Sequence, residues 1–247
     1  VNQAVRGCDA VIHLAAKLGV KRTETHRLET LNLNIQGTVN ILEVCVKNNI
    51  EKVIFSSSSE VYGDKNVELI SENCPRNPKS IYGVTKLAAE EYLLAYYYYY
   101  DLDYSILRYF NVIGSDSKLR TGSVKNTGHL FGNIIESFLK NRMTFNLFGS
   151  NYKTRDGSAI RDYIDVEDIS KIHLEAYRVI KKNKKSYEFN CGVGNGYSVL
   201  KILKTFEKII NKKFKIVKKK PRPGDTEKLV CQTKYTKKIL KLSLKNN

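Results

Sequence analysis

Acidic residues are scarce in this sequence: 25 Asp and Glu stand against 42 Lys and Arg, a formal charge of +17. Cysteines are few too. The five (Cys8, Cys45, Cys74, Cys191, Cys231) are odd in number, scattered and never arranged as C-x-x-C, which excludes a disulfide framework and gives no zinc motif. No metal is expected. No apolar run approaches the roughly 18 residues of a membrane span, and "VNQAVRGCDAVIHLAA" lacks the charged start, long apolar stretch and cleavage site of a leader. The expectation is a soluble cytoplasmic protein without a membrane partner. The basic excess raises the question of nucleic acid, because "KKNKK" (181–185) and "KKK" (218–220) are dense. Lysine far outnumbers arginine, however, Asn is frequent, and the basic residues spread over helix faces and termini, the mark of a compositional bias. No nucleic-acid partner is expected. A basic field does favour an acidic, phosphorylated small substrate.

What is present suits a globular chain: 247 residues with 42% hydrophobic content can build a sizeable core. "DAVIHLAA" (9–16) reads as a buried strand, and "IQGTVNILEVCVKNN" (35–49) as a helix with Ile35, Val39, Leu42 and Val46 on one face. "EKVIFSSSSEVYG" (51–63) is a strand running into a polar turn, residues 80–99 a long helix, and "DYSILRYFNV" (103–112) a third strand. Regular strand–helix alternation predicts an α/β fold with a parallel sheet, whose ligands lie beyond the carboxyl ends of the strands. Ser58, Tyr62 and Asn111 fall at such ends. After about residue 115 the pattern loosens through "GSDSKLRTGSVKNTG" into a smaller α/β region with helices at 129–142, 166–182 and 198–210 and strands "TFNLFG", "SYEFNCG" and "FKIV". Residues 1–115 and 116–247 are therefore expected as two regions, some segments of the second returning to the first sheet. The tyrosine run at 96–100 reads as packing at a helix end.

In "SIYGVTKLAAEE", Tyr82 and Lys86 lie four apart, which on a helix puts an ammonium beside a phenol and is expected to lower the phenol's pKa. Spacing alone does not establish chemistry. With 16 tyrosines in a lysine-rich chain, roughly two such pairs arise by chance, and Tyr177/Lys181 and Tyr197/Lys201 share the spacing. Position separates them: only the Tyr82 helix follows a strand whose end carries a cluster of hydroxyls, "SSSS".

"VIHLAA", "VIFSSSSEVYG", "YGVTK" and "LRYFNV", in this order, resemble the extended short-chain dehydrogenases that act on nucleotide sugars. "LFGSNYKTRDGSAIRDYIDVEDI", "FNCGVGNGYSVLKIL" and "KPRPGDTEKLV" resemble their UDP-glucose 4-epimerase branch, and the likeness covers nearly the whole chain. It implies a Rossmann-like domain with a substrate-binding region, bound NAD, a UDP-sugar substrate and a homodimer. It implies that Tyr82 is the acid/base at the sugar 4-hydroxyl, that Lys86 holds the nicotinamide ribose, and that Ser58 bonds the same sugar oxygen. NAD contacts would fall on Leu14, Ala15, Ala16, Lys17, Leu18, Asn34 and Phe110. The UDP-sugar site would include Asn111, His129, Leu130, Asn146, Leu147, Phe148, Arg161, Arg222, Asp225 and, where relatives vary a gate, Leu229. Two guanidiniums suit a diphosphate through bidentate bonds.

Several features depart from the pattern. The family's glycine loop and ribose-binding acid would precede "VIHLAA" by a segment of roughly 60 residues. The expectation is thus an N-terminally truncated piece, its first strands missing, with an open sheet edge and impaired NAD binding. "CGVGNGYS" (191–198) imitates a dinucleotide loop, but its G-x-G-x-G spacing is wrong and no acid follows about 20 residues on. Asp165 replaces a usual His. "SSEVYG" resembles UDP-glucuronate decarboxylases as well, whereas a dehydratase would need an acid where Ser59 stands. The epimerase reading leads, decarboxylation second, and an inactive fragment or a basic binding module third.

Overall fold

A computed structural model describes residues 1–120 and 128–244. In chain order the elements are β1 (Val11–His13), α1 (Val20–Thr25), α2 (Arg27–Leu31), a π-helical turn (Asn32–Gln36), α3 (Gly37–Lys47), β2 (Lys52–Ser58), a 3-10 turn (Ser59–Val61) and α4 (Ile81–Tyr100). There follow β3 (Asp103–Tyr109), β4 (Asn111–Ile113), α5 (Leu130–Leu139), β5 (Thr144–Phe148), β6 (Ile160–Asp165) and α6 (Val166–Asn183). The chain continues through β7 (Tyr187–Cys191), β8 (Gly196–Ser198), α7 (Val199–Ile210), β9 (Lys215–Lys219), β10 (Lys228–Leu229) and α8 (Lys234–Leu240).

The main sheet is parallel throughout, in the order β1-β2-β3-β7. Its strands are apolar on both faces because helices cover both. Val53 and Phe55 of β2 join Tyr104 and Ile106 of β3 against Leu42 and Cys45 of α3 and Ala89 and Leu93 of α4. The alternate residues Ile54 and Leu107 pack with Phe189 against Ile169, Ile172 and Ala176 of α6 and Leu240 of α8. This two-sided layering is the α/β architecture the alternation predicts. β7 comes from the second region yet pairs with β3. A second sheet runs β10-β6-β4 with β8 antiparallel to β6, and β5 pairs with β9 in a third.

The structure departs from the sequence pattern at several places. β1 is three residues long, as only Val11–His13 pair with β2, and the chain then leaves the sheet into a loop. Helical structure begins at Val20, well before the expected start at 35, and passes through the π-helical turn. The tyrosine run divides: Tyr96 is buried and bonds Glu43, while Tyr98 and Tyr99 are exposed. Asp165, at the usual histidine position, caps α6 by accepting from the Glu167 amide at 2.7 Å. Part of the expected loop region, 121–127, lies outside the described residues. Among the described residues no helix is long and apolar enough to cross a membrane, and no His/Cys/Asp/Glu group could hold a metal ion.

The glycine turn after β7 binds an internal anion. Asp162 of β6 is fully buried, and its carboxylate accepts from the amides of Val193 (2.8 Å), Gly194 (2.8 Å) and Cys231 (3.2 Å). The donors that a phosphate would need are directed at this side chain.

Candidate active site

The reacting helix α4 is set against the end of β2 by its first turn. Ser80 caps it, its hydroxyl accepting from the Gly83 amide at 3.1 Å, and Glu24 of α1 accepts from the Ile81 amide at 3.0 Å. A Cβ on Gly83 would come within 2.6 Å of the Glu60 carbonyl oxygen, so the residue after Tyr82 must be glycine for the helix to approach this closely. That approach places Tyr82 beside Ser58, whose side chain hydrogen-bonds the phenol. Lys86, one turn on, is buried and donates to the Ser56 carbonyl at 2.7 Å, its ammonium 4.7 Å from the Phe55 ring centroid and 5.9 Å from that of Tyr82. The "SSSS" run thus has a separate partner for each of three hydroxyls: Ser56 with Tyr109 (2.7 Å), Ser57 with Glu90 (2.5 Å) and Ser58 with Tyr82.

The two other Tyr–Lys pairs also make ammonium–ring contacts, at 5.6 Å for Lys181 over Tyr177 and 4.7 Å for Lys201 over Tyr197. Their lysines are exposed, whereas Lys86 is only 3% exposed. Burial and the second acceptor, not spacing, distinguish the Tyr82 pair.

One expectation is overturned. The Tyr82 phenol is raised above its ordinary pKa, by burial first and by the Glu60 carboxylate second, with the Ser58 hydrogen bond opposing. Lys86, whose ammonium donates to the Ser56 carbonyl and stands 5.9 Å from the Tyr82 ring centroid, is not among the groups that set this shift. Burial brings Lys86 down to about 8, with Glu90 opposing. In this state Tyr82 is a proton donor.

On one side of Lys86 lies the segment 14–18. Leu14 and Leu18 are 60% and 50% exposed, Ala15 is exposed and Ala16 half-buried, an open apolar strip at the end of β1. His13, immediately before it, has its pKa lowered to about 4 by burial and by the charge of Lys86, which places this strand end beside the reacting lysine. Lys17 is buried and ion-paired to Glu29. Asn34 accepts from the Lys17 amide (2.7 Å) and donates to the Lys17 carbonyl (3.1 Å) and to Thr85 (3.0 Å). With its amide consumed internally, it ties this strip to α4.

Most of the residues expected at a substrate lie in the second region. Arg161 of β6 donates to Asp225 (2.6 Å) and to the Thr226 carbonyl (2.7 Å), and the Arg222 guanidinium lies 4.3 Å from the Phe148 ring centroid. Strand alternation sends Asn146 outward and Leu147 inward, so Leu147 belongs to the core with Ile134, Leu203 and Phe214 and not to the cleft. Phe110 and Leu229 are likewise buried, with Val61 and Tyr62, beneath the site. Asn111 donates to the Asp162 carbonyl at 3.2 Å, and His129 and Leu130 begin α5. Gly224, at φ 74°, seats the "RPGD" loop on the segment leading into α4: a Cβ there would meet the Lys79 carbonyl at 2.8 Å.

Glu60 joins the two halves. Burial raises its carboxyl, Arg161 opposes that, Ser80 donates to it at 3.2 Å, and its charge reaches Tyr82. Among residues that sequence reasoning left without a role, Glu90 follows Lys86 by four positions, the same helical spacing that marks Tyr82 and Lys86. That repeat was the available signal.

A parallel sheet carrying Ser, Tyr and Lys on one strand–helix unit defines a Rossmann-like domain of the short-chain dehydrogenase kind. Residues 1–192 match the NAD dependent epimerase/dehydratase family, and the chain belongs to that family. It is 34% identical over 90% of its length to a UDP-glucose 4-epimerase of Azospirillum brasilense, spanning 64% of that protein. It is also 34% identical over 94% of its length to one of Lactobacillus helveticus, spanning 71% of it. The crystal structure of a UDP-glucose 4-epimerase from Stenotrophomonas maltophila, with bound NAD and formylated UDP-arabinopyranose, superposes with a TM-score of 0.94 at 26% identity, covering 100% of this chain and 75% of that one.

Proposed function

We propose that the protein interconverts UDP-glucose and UDP-galactose by inverting C4 through a transient 4-keto sugar, with NAD retained and no net redox change. The observation that supports this reading is the strand–helix unit in which Lys86 donates to the Ser56 carbonyl and Ser58 hydrogen-bonds Tyr82, with Ser80 at the head of the same helix donating to Glu60. Leu14, Ala15, Ala16 and Leu18, with Lys17 buried among them, offer an apolar strip of the kind a nicotinamide and its ribose would cover. Oxidised NAD, when bound, supplies the hydride acceptor and a positive ring charge of the sign that lowers a phenol's pKa. Tyr82 then exchanges a proton with the sugar 4-hydroxyl, and Ser58 hydrogen-bonds the same oxygen as charge develops on it. Inversion by one acid/base requires the sugar to present both faces to it. Arg161, Arg222 and Asp225 therefore hold the UDP portion while the hexose turns near Ser58 and Asn111.

Full-length protein supplied with NAD and UDP-galactose is expected to yield UDP-glucose. Release of CO₂ and UDP-xylose from UDP-glucuronate would establish decarboxylation instead, a reading that Glu60 in "SSEVYG" keeps in play. Anchoring and chemistry are separable. Arg222→Ala is expected to raise KM for the UDP-sugar about 10- to 100-fold with kcat little changed, whereas Ser58→Ala lowers kcat about tenfold or more with KM nearly constant. An unchanged KM in Arg222→Ala removes the "RPGD" segment from the diphosphate site. The reading places the enzyme in the cytoplasm as a homodimer paired through α4. Leu87 and Leu94 pack within their own chain, while Val84 and Tyr92, 51% and 43% exposed, face outward. Light scattering at the monomer mass would refute the dimer.

A further inference from the structure

Glu90 is 1% exposed and lies one turn beyond Lys86 on α4, where the reaction proposed above gives it no part. Its carboxylate is fully engaged. One oxygen accepts from the Ser57 hydroxyl at 2.5 Å and from Arg108 Nε at 3.0 Å. The other accepts from Arg108 Nη2 at 2.8 Å and from Arg76 Nη1 at 3.3 Å. Arg108, on β3, is 0% exposed and is itself held by the Tyr62 hydroxyl (2.9 Å), the Glu72 carbonyl (3.3 Å) and Glu188 (2.5 Å). Burying both ions is a poor way to stabilise a core that apolar side chains could fill. What such a cluster does supply is direction.

The direction is set by Ser57. Its neighbour Ser56 presents the carbonyl that binds the Lys86 ammonium at 2.7 Å, and its other neighbour, Ser58, bonds Tyr82. Glu90 therefore grips the middle of the three residues whose flanks hold the two reacting groups, and it does so from the helix that carries those groups. Arg108 arrives from the adjacent strand and fixes the carboxylate's orientation. We propose that Glu90, aligned by Arg108, is a positioning residue that keeps α4 and the end of β2 in register so that Lys86 and Tyr82 meet their partners.

A charge effect accompanies the clamp. The groups around the Lys86 ammonium are His13 from β1, Phe55 and the Ser56 carbonyl from β2, and Tyr82 and Glu90 on α4, with Arg108 from β3 behind Glu90. Glu90 is the anion that sustains the ammonium against burial, and it also neutralises Arg108. Removing its charge acts twice in one direction, since Lys86 loses an attractive neighbour and Arg108, left with Glu188 alone, keeps less of its charge compensated.

The inference rests on the epimerase reading, and the tests separate the two. In full-length protein with NAD, Glu90→Gln keeps the volume and an acceptor for Ser57 but drops the charge. It is expected to lower kcat about tenfold or more with KM for the UDP-sugar within about threefold, and to move the alkaline limb of kcat/KM toward neutrality by at least about half a unit. Glu90→Asp, which keeps the charge, is expected to restore that limb. A folded Gln variant with wild-type kcat and an unmoved limb overturns the proposal. Ser57→Ala tests the clamp independently, should the Gln variant not fold: reduced kcat at constant KM supports it, and wild-type kcat overturns it. If wild-type protein fails to interconvert the sugars, the functional reading fails. NMR titration of the Lys86 ammonium, which needs no substrate, then decides this inference by whether its midpoint falls in Glu90→Gln.

Discussion

Replacing Tyr82 with phenylalanine is expected to lower kcat for interconversion of UDP-glucose and UDP-galactose by about 10²- to 10⁴-fold, the range for loss of a positioned acid/base. The cause is local. The substitution deletes one hydroxyl, which Ser58 meets, and leaves the ring whose centroid lies 5.9 Å from the Lys86 ammonium. KM should stay close to its wild-type value, because the proposed function assigns the UDP portion to residues of the second region, Arg161, Arg222 and Asp225. Thermal unfolding should shift little, since neither Lys86 nor the Ser80 cap loses a bond. Steady-state kinetics in both directions with a melting curve check these expectations. Activity within threefold of wild type would remove Tyr82 from proton transfer and with it the central claim of the proposed function. The raised pKa of the free phenol adds a second measurement. Ultraviolet titration of the cofactor-free protein should detect no Tyr82 phenolate at neutral pH, and binding of oxidised NAD should shift the phenol downward.

Tyr82, Lys86 and Ser58 were legible in the sequence because helical spacing and strand ends are short-range properties, set by the chain itself. β2 and α4 were legible for the same reason: "KVIFSSS" is apolar enough to be buried on both faces, and residues 81–100 carry no helix breaker beyond one glycine. β6, β8 and β10 were not foreseen as strands. They are short, and their pairing is chosen by partners far along the chain, as when Leu229 aligns with Arg161 and Gly196 with Asp162. Long-range electrostatics were equally hidden. Helical spacing suggested that Lys86 could lower the Tyr82 pKa, but burial first and the Glu60 carboxylate second decide the sign. Leu147 was placed in the cleft because "NLF" matched a family pattern, and strand alternation turns it away. Asn34 matched too, and the fold adds what the match did not show, bonds from both ends of its amide to Lys17 and Thr85. Motif matching located segments of the cleft, while the direction of each side chain required the fold.

The glycine turn that resembled a nucleotide loop leads to the second large effect, on stability. Asp162 is 0% exposed and neutralises three backbone amides at once, those of Val193, Gly194 and Cys231. Burial raises its pKa and the three amides oppose that, so the side chain and the turn depend on each other. Asp162→Ala would leave two buried donors, the Val193 and Cys231 amides, and the part-buried Gly194 amide without this acceptor. At about 1–3 kcal/mol for each orphaned group, discounted for the partial relaxation of a glycine-rich turn, the expected loss is about 3–5 kcal/mol of unfolding free energy. Asp162→Asn keeps the shape but directs an amide group toward at least one of the same donors, so it should also be destabilising. Urea unfolding monitored by circular dichroism checks this, and a loss below about 1 kcal/mol in Asp162→Ala would refute the turn's role as an internal anion site. The consequence reaches function through adjacency. Asp162 and Arg161 are consecutive on β6, and the strand that Asp162 ties to the β7 turn is the one that presents Arg161 to Asp225. Where the Asp162→Ala protein still folds at low temperature, its KM for the UDP-sugar should rise more than its kcat falls, because the loosened strand carries the anchor and not the acid.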